Sequence, residues 1–303
     1  MEKRKIVIWG YGLQGVLLYR QLIAHDKYEV IGFADNSIYK QGNMVNNLPI
    51  MSMGAVTKLK ETIEFRVIIA SSKWFIIGEE LEKLKIPIEG IYQNGKIARY
   101  DRMCFERLDL AKPITLYAGD IVDDVHMANP DLYGLSIHKA DSKHILHDIT
   151  KKYPLPDNCI FTYQAEEVLE HIEMEKLIDA IDEIYRILKK GGLFRLCLPD
   201  YYSPYLSSIS MKNTAGGIIF DPAGGGTFGE RGVMNGGHVW FPNYQNVKVL
   251  LGKTKFRNCN FLCYHTKDGS LIRKEIDFVK GYIRRVPQNN ENSIYSIVVD
   301  CYK

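Results

Sequence analysis

The chain has no apolar run long enough to cross a membrane. Its N-terminal apolar stretch is only Ile6 to Trp9, well short of the roughly 7–15 apolar residues of a secretory leader. Nothing in it reaches the about 18 residues of a membrane span. A cytoplasmic protein with no membrane partner is expected. An excess of one charge is also missing. Lys and Arg number 39 against 36 Asp and Glu, a formal net charge of +3, which gives no reason to expect a nucleic-acid partner. The short basic pairs Lys189-Lys190 and Arg284-Arg285 read as solvated faces.

Six cysteines are present, but their spacing builds nothing. Cys259 and Cys263 form a Cys-x-x-x-Cys without a matching Cys or His pair nearby, so neither a disulfide framework nor a zinc site is expected. No metal is expected elsewhere. Internal repeats and low-complexity tracts are absent.

What the sequence does contain is two runs of alternating strand and helix signals, the pattern of parallel α/β sheets. The first run opens with the apolar strand Ile6–Trp9. "GYGLQG" and a helical pattern follow, and then strands at "YEVIGFAD", "RVIIA" and "IEGIY", with "GEELEKLK" as a helix between the last two. The weakly patterned stretch from Lys96 to Pro113 separates it from a second run. The expected division is a domain over 1–100, a linker over 101–112 and a second domain over 113–303.

The second run has strands at Ile114–Tyr117, 133–139 and 159–165, then the helix "MEKLIDAIDEIYRIL" and the strand "LFRLCLP". Met174, Leu177, Ile178, Ile181, Ile184, Tyr185 and Leu188 make one buried stripe on that helix. Lys189 and Lys190 suit the negative end of its dipole, and Gly191 its left-handed stop. Further β segments are expected around 259–264 and 276–286 and at the closing "SIYSIVVDCYK". The glycine-rich stretch 220–243 is expected as a long loop over the sheet, a lid or binding loop.

Gly10, Gly12 and Gly15 stand directly between a strand and a helix, and Asp35 ends the next strand twenty residues on. Glycines there let backbone approach a pyrophosphate, the helix start favours its charge, and the carboxylate can hold ribose hydroxyls. Gly10, Gly12, Leu13, Gln14, Gly15 and Asp35 are the candidate nucleotide-binding residues. A tight strand–helix turn that binds nothing is the plainer alternative.

The run "KIVIWGYGLQGVLLYRQLIAHDKYEVIGFADNS…LPIMS…RVIIAS" resembles the N-terminal nucleotide-binding domains of bacterial sugar-modifying proteins. The resemblance covers about residues 1–95. It implies a nucleotide, NAD or a nucleotide-linked sugar as ligand.

The run "HDITKKYPLPDNCIFTYQAEEVLEHI…IDEIYRILKKGGLFRLCLPD", residues 147–200, resembles the class I S-adenosylmethionine-dependent methyltransferases. The order of loop, strand, Val-Leu-Glu-His and Gly-Gly helix end carries the likeness. It implies an α/β fold of two Rossmann-like domains, the second a methyltransferase-like sheet ending in an antiparallel hairpin. Tyr185 and Lys189, which share the Tyr-x-x-x-Lys spacing of a dehydrogenase helix, then become ordinary helix residues.

The same resemblance implies donor contacts from Tyr117, Ala118, Gly119, Asp120, Ser136, Asp148, Ile149, Gln164 and Ala165. Asp148 would accept from the adenine amino group, and Gln164 and Ala165 would floor the site. His238 is the first candidate base, with Glu167 and His171 next. His144 and His147 are expected to be solvated. Two departures stand out: the first loop, "YAGDIVDD", holds only Gly119, and Ser136 stands where a ribose-gripping carboxylate is usual.

The resulting expectation is O-methylation of a sugar or sugar-linked group in surface-glycan or nucleotide-sugar metabolism, with S-adenosylmethionine as donor and a small-molecule sugar as partner. Two alternatives stay open, an NAD-dependent sugar oxidoreductase and a degenerate methyltransferase fold that binds a nucleotide-sugar. A homo-oligomer also stays open.

Overall fold

The computed structural model describes residues 3–286 and 294–303. The chain divides into two compact units, Met1–Arg102 and Met103–Lys303.

The first unit runs β1 (Arg4–Trp9), α1 (Leu13–Ile23), β2 (Tyr28–Ala34), β3 (Met44–Val45), β4 (Leu48–Met51), α2 (Met53–Leu59), β5 (Arg66–Ile69), α3 (Trp74–Lys83), β6 (Ile88–Gln93) and β7 (Lys96–Ala98). Its sheet has the order β3-β4-β2-β1-β5-β6-β7. The central pairs β1/β2, β1/β5 and β5/β6 are parallel. Strands buried on both faces must be apolar throughout, and Ile6, Val7, Ile8, Val67, Ile68 and Ile69 are all wholly buried.

Gly15 is fixed by packing. A Cβ there would lie 1.9 Å from the carbonyl oxygen of Gly10. Overpacking of this kind costs roughly 1–3 kcal/mol, and a rigid backbone obstacle places Gly15→Ala at the upper end. Its urea midpoint should fall accordingly in the transition that exposes Trp9. An unchanged midpoint would mean that the turn relaxes freely.

The second unit runs β8 (Thr115–Ala118), α4 (Asp124–Ala128), β9 (Leu132–Ser136), β10 (His144–Leu146), β11 (Ile160–Glu166), α5 (Met174–Ile187), β12 (Leu188–Pro199) and α6 (Pro204–Ile209). It continues with β13 (Met211–Lys212), β14 (Ile218–Phe220), β15 (Thr227–Gly229), β16 (Gly232–Met234), α7 (Tyr244–Gly252), β17 (Asn258–His265), β18 (Leu271–Arg273) and β19 (Ser296–Tyr302). The main sheet has the order β10-β9-β8-β11-β12-β19-β17-β18.

All pairs from β10 to β12 are parallel. β19 runs antiparallel to both β12 and β17, and β17/β18 is an antiparallel hairpin. This is the class I methyltransferase arrangement that the resemblance implied. Its order reverses between β8 and β11, so a crevice opens at their carboxyl ends. The stretch expected as a linker contributes Phe105 and Leu108 to this unit's core.

Three local expectations need correction. The helix α5 ends at Ile187, not at Gly191, and Leu188 is already extended. The amides of Asn158 and Cys159 take the carbonyls of Arg186 and Ile187, so pairing with the neighbouring strand stops the helix first. Lys189 and Lys190 lie in β12, and the Lys189 ammonium sits over the Phe161 ring, 4.1 Å from its centroid. Tyr185 packs against Phe256 at 5.1 Å, so the Tyr-x-x-x-Lys pair does not share a helix face.

The stretch 276–286 holds a single 3-10 turn, Phe278–Lys280, instead of a strand. The carbonyls of Asp277 and Gly281 are taken by the Arg195 guanidinium and are lost to any sheet partner. Finally, 220–243 is not wholly irregular, since β15 and β16 form a small hairpin within it.

Candidate active site at the strand ends of the second unit

The chain leaves β8 through Gly119, at φ +91°, a left-handed conformation that suits glycine. Its amide donates to the Leu135 carbonyl at 2.9 Å. Beyond it opens a cavity of about 380 Å³ lined by Gly119, Asp120, Ser136, Asp148, Ile149, Glu167, Val168 and His171, among others. Five of the expected donor residues (Gly119, Asp120, Ser136, Asp148 and Ile149) are thus gathered at one site.

Their chemistry is specific. Asp148 Oδ1 accepts from both the amide and the hydroxyl of Thr150, and among the described residues Oδ2 has no hydrogen-bond partner. Ser136 Oγ accepts from the amides of His138 and Lys139 at 3.0 and 3.1 Å. It therefore closes its own turn. Asp120 brings a carboxylate to the cavity wall, 3.6 Å from the Lys139 ammonium.

The other four expected donor contacts fall away from the cavity. Tyr117 is buried with its ring 4.7 Å from His126 and its hydroxyl 3.4 Å from Glu166. Ala118 and Ala165 are wholly buried in the core. The Gln164 amide donates to the Tyr282 carbonyl. The cause is strand alternation. Tyr163 and Ala165 face the core while Gln164 and Glu166 face the 277–285 segment, so the chain reaches the cavity only at Glu167.

His144 is not solvated, and His147 is half-buried. His144 is buried, accepting from the Ile121 amide at 3.0 Å and donating to Asp141 at 2.8 Å. His147 packs on Tyr153 and Phe105 at 4.5 and 5.1 Å, and burial pushes its pKa down.

The turn after β11 carries the strongest electrostatics. Glu167 adopts φ +57°, a costly conformation for a side-chain-bearing residue. Burial, reinforced by Glu166 and opposed by Arg285, pushes its carboxyl up to about 7. Glu170 is wholly buried, and neither carboxyl oxygen has a hydrogen-bond partner. Burial and then Glu167 push its pKa well up.

The glycine-rich loop is tied to this same turn. The Val239 amide donates to the Glu170 carbonyl and the Trp240 indole to the Leu169 carbonyl, each at 2.9 Å. These bonds bring His238 beside His171, with ring centroids 4.8 Å apart. The loop's glycines are part of the fit: a Cβ on Gly224 would lie 2.6 Å from His238 Nδ1.

His238 does not line the cavity. It lies behind His171, with Nδ1 2.5 Å from the Tyr201 hydroxyl, which donates to Asp221 at 2.6 Å. Burial, followed by the neighbouring His171, pushes its pKa down to about 4. The three expected catalytic residues are therefore neighbours, but Glu167 and His171 face the cavity and His238 stands second. One side-chain nitrogen or oxygen from each of Glu170, His171 and His238 lies within 4.8 Å of the others, and Glu170 has no place among the expected site residues.

In the first unit the glycine loop has two characters. A Cβ on Gly10 would meet the Ala70 carbonyl at 2.6 Å, whereas one on Gly12 would meet nothing within 4 Å. Leu13 is largely exposed and Gln14 exposed. Asp35 is fully engaged, accepting from the amides of Tyr11 and Ser37 at 2.8 and 2.9 Å and from the Lys40 ammonium at 3.0 Å. Burial would raise its pKa, but these bonds outweigh burial and hold it below its usual value. Ribose hydroxyls would have to share that carboxylate with Lys40.

Residues 114–196 match the model of a methyltransferase domain. No curated protein matches the chain. Among solved structures, the chain is similar to an S-adenosylmethionine-dependent methyltransferase of Thermotoga maritima, with 15% identity over 63% of this chain and 82% of that one, at TM-score 0.38. A methyltransferase of Archaeoglobus fulgidus is 11% identical over 100% of this chain and 87% of its own, at TM-score 0.29. UDP-D-quinovosamine 4-dehydrogenase from Vibrio fischeri is 25% identical over 30% of this chain and 76% of its own, at TM-score 0.26. The fold itself rests on the strand order. The second unit carries a methyltransferase domain built on the class I sheet. Among the described residues no helix is long and apolar enough to cross a membrane.

Proposed function

We propose that this protein transfers a methyl group from S-adenosylmethionine to a hydroxyl of a sugar or sugar-linked acceptor in the cytoplasm. The cavity at the switch point of the second sheet carries this reading. The residues around it suit the donor. Asp148 Oδ2 is available to the adenine amino group, and Asp120 supplies a carboxylate that Ser136 does not. Bound there, the donor supplies an electrophilic methyl group on a sulfonium.

The chain's own residues position the acceptor and take its proton. Glu167 and His171 stand at the cavity wall beyond the donor-side residues. Glu167 is the preferred base, because a carboxyl pushed up to about 7 can accept a proton at neutral pH with useful driving force. The sugar acceptor rests on resemblance, as does the assignment of the first unit to a nucleotide or nucleotide-linked sugar.

Calorimetry tests the reading. S-adenosylmethionine and S-adenosylhomocysteine should each bind the full chain. Asp148→Ala should weaken both by about tenfold, the loss of one hydrogen bond to a charged group. If neither binds while a nucleotide-sugar does, the non-catalytic reading takes its place. The Ser136 hydroxyl, already used by its own turn, is the observation that favours that rival.

A further inference from the structure

Glu170 poses a specific physical problem. A buried carboxyl with no hydrogen bond on either oxygen is costly. Here Oε1 faces two imidazoles, 3.9 Å from His171 Nε2 and 3.7 Å from His238 Nε2. Both gaps exceed a hydrogen bond, so a shared proton satisfies neither pair.

The far sides of both rings fix what Nε2 presents. His171 Nδ1 stands 3.2 Å from the Gly237 carbonyl, which can only accept. His238 Nδ1 stands 2.5 Å from the Tyr201 oxygen, whose own proton goes to Asp221. Each Nδ1 therefore carries the hydrogen and each Nε2 a lone pair. Two lone pairs and a carboxylate oxygen converge on one point, and what they lack is a cation.

We propose that Glu170, His171 and His238 form a site for a divalent transition-metal ion of the manganese-to-zinc series. Two neutral imidazoles with one carboxylate suit those ions better than calcium or magnesium, which favour all-oxygen shells. Ligand atoms about 2.0–2.1 Å from a tetrahedral ion lie about 3.3 Å apart. The two carboxylate–imidazole gaps, 3.9 and 3.7 Å, would close by about half an ångström and the imidazole–imidazole separation, within 4.8 Å, by up to about 1.5 Å, a movement open to the half-exposed His171 ring. Partners on the far ring nitrogens, here the Gly237 carbonyl and the Tyr201–Asp221 pair, are the usual support of metal-bound histidines.

Three protein ligands leave a position open, and His171 turns that side of the site toward the cavity. An ion there would hold an acceptor oxygen and make its proton easier to remove. This role, unlike the site itself, rests on the methyl-transfer reading.

The test uses the full chain, stripped with chelator and titrated with Co²⁺ and Zn²⁺. Cobalt absorption and metal content should show one ion per chain, and Zn²⁺ should raise the melting temperature. Glu170→Gln and His238→Ala should each weaken binding more than about 100-fold, and Tyr201→Phe by about 10–100-fold. Glu170→Gln keeps the side-chain volume and serves if His238→Ala does not fold.

A wild-type chain that takes up no ion, or one that binds equally well after these substitutions, overturns the site and leaves Glu170 as a buried neutral acid. Calorimetry with S-adenosylhomocysteine on the same samples separates the two proposals. Metal binding without it would keep the site and remove the methyl-transfer role.

Discussion

Glu167→Gln is expected to slow methyl transfer by about 10²–10⁴-fold, the usual contribution of a positioned general base. Donor affinity should change little, since the donor-side contacts lie with Asp120, Asp148 and the 119–120 turn. The assay is formation of S-adenosylhomocysteine with any acceptor that the wild-type chain methylates. A wild-type rate that rises with pH through about 7 and flattens in the variant would identify this carboxyl as the base.

The same substitution carries a stability signature of definite sign. The folded-state pKa of Glu167 lies above its ordinary value, because burial disfavours the charged form. The carboxyl is therefore neutral without strain at acid pH. It destabilises the fold progressively as pH rises from its unfolded value toward about 7. Glu167→Gln should unfold later than wild type at pH 8, by about 1–3 kcal/mol, and equally at pH 4. A residue kept for packing would show the reverse, a loss of stability at both pH values.

The sequence is most legible where local pattern and buried environment agree. Residues 6–9 and 67–69 are apolar runs because both faces of a parallel sheet are covered, and α5 shows its buried stripe without help from the rest of the chain. The site is legible only in part. Gly119, Ser136 and Asp148 lie at or just past strand ends, so the topological rule finds them. Gln164 and Ala165 fall three and two positions short of Glu167, since the period-two alternation of β11 sends them to the sheet faces.

Glu170 has no evident role within Val-Leu-Glu-His, because its meaning depends on contacts that sequence spacing hides. The 220–243 loop must fold back on the turn after β11 before His238 reaches it. His144 reads as polar and therefore exposed, yet Asp141 and the Ile121 amide satisfy both of its nitrogens. The extended end of α5 follows from backbone pairing with β11, a tertiary contact that overrides the local cap signals of Lys189, Lys190 and Gly191.

Asp300→Ala is expected to cost about 3–5 kcal/mol, the usual result of stranding one member of a buried ion pair. Arg195 is wholly buried in β12, and its guanidinium takes both carboxylate oxygens of Asp300 at 2.7 Å. Its remaining nitrogen donates to the carbonyls of Asp277 and Gly281 at 2.8 and 2.5 Å. The pair thus ties two central strands to the segment that lies over the polar face of β11, where the Arg285 amide meets Glu166 at 2.6 Å.

Urea denaturation of the single variants and of Arg195→Met/Asp300→Leu would separate the two functions of the pair. If the ions serve stability alone, the apolar double variant should recover most of the loss, as buried pairs replaced by apolar residues often do. If they serve mainly to hold the 277–285 segment, the double variant should regain its melting point while that segment becomes open to protease. A single variant that melts like wild type would mean that water reaches Arg195, and that the segment is held by other contacts.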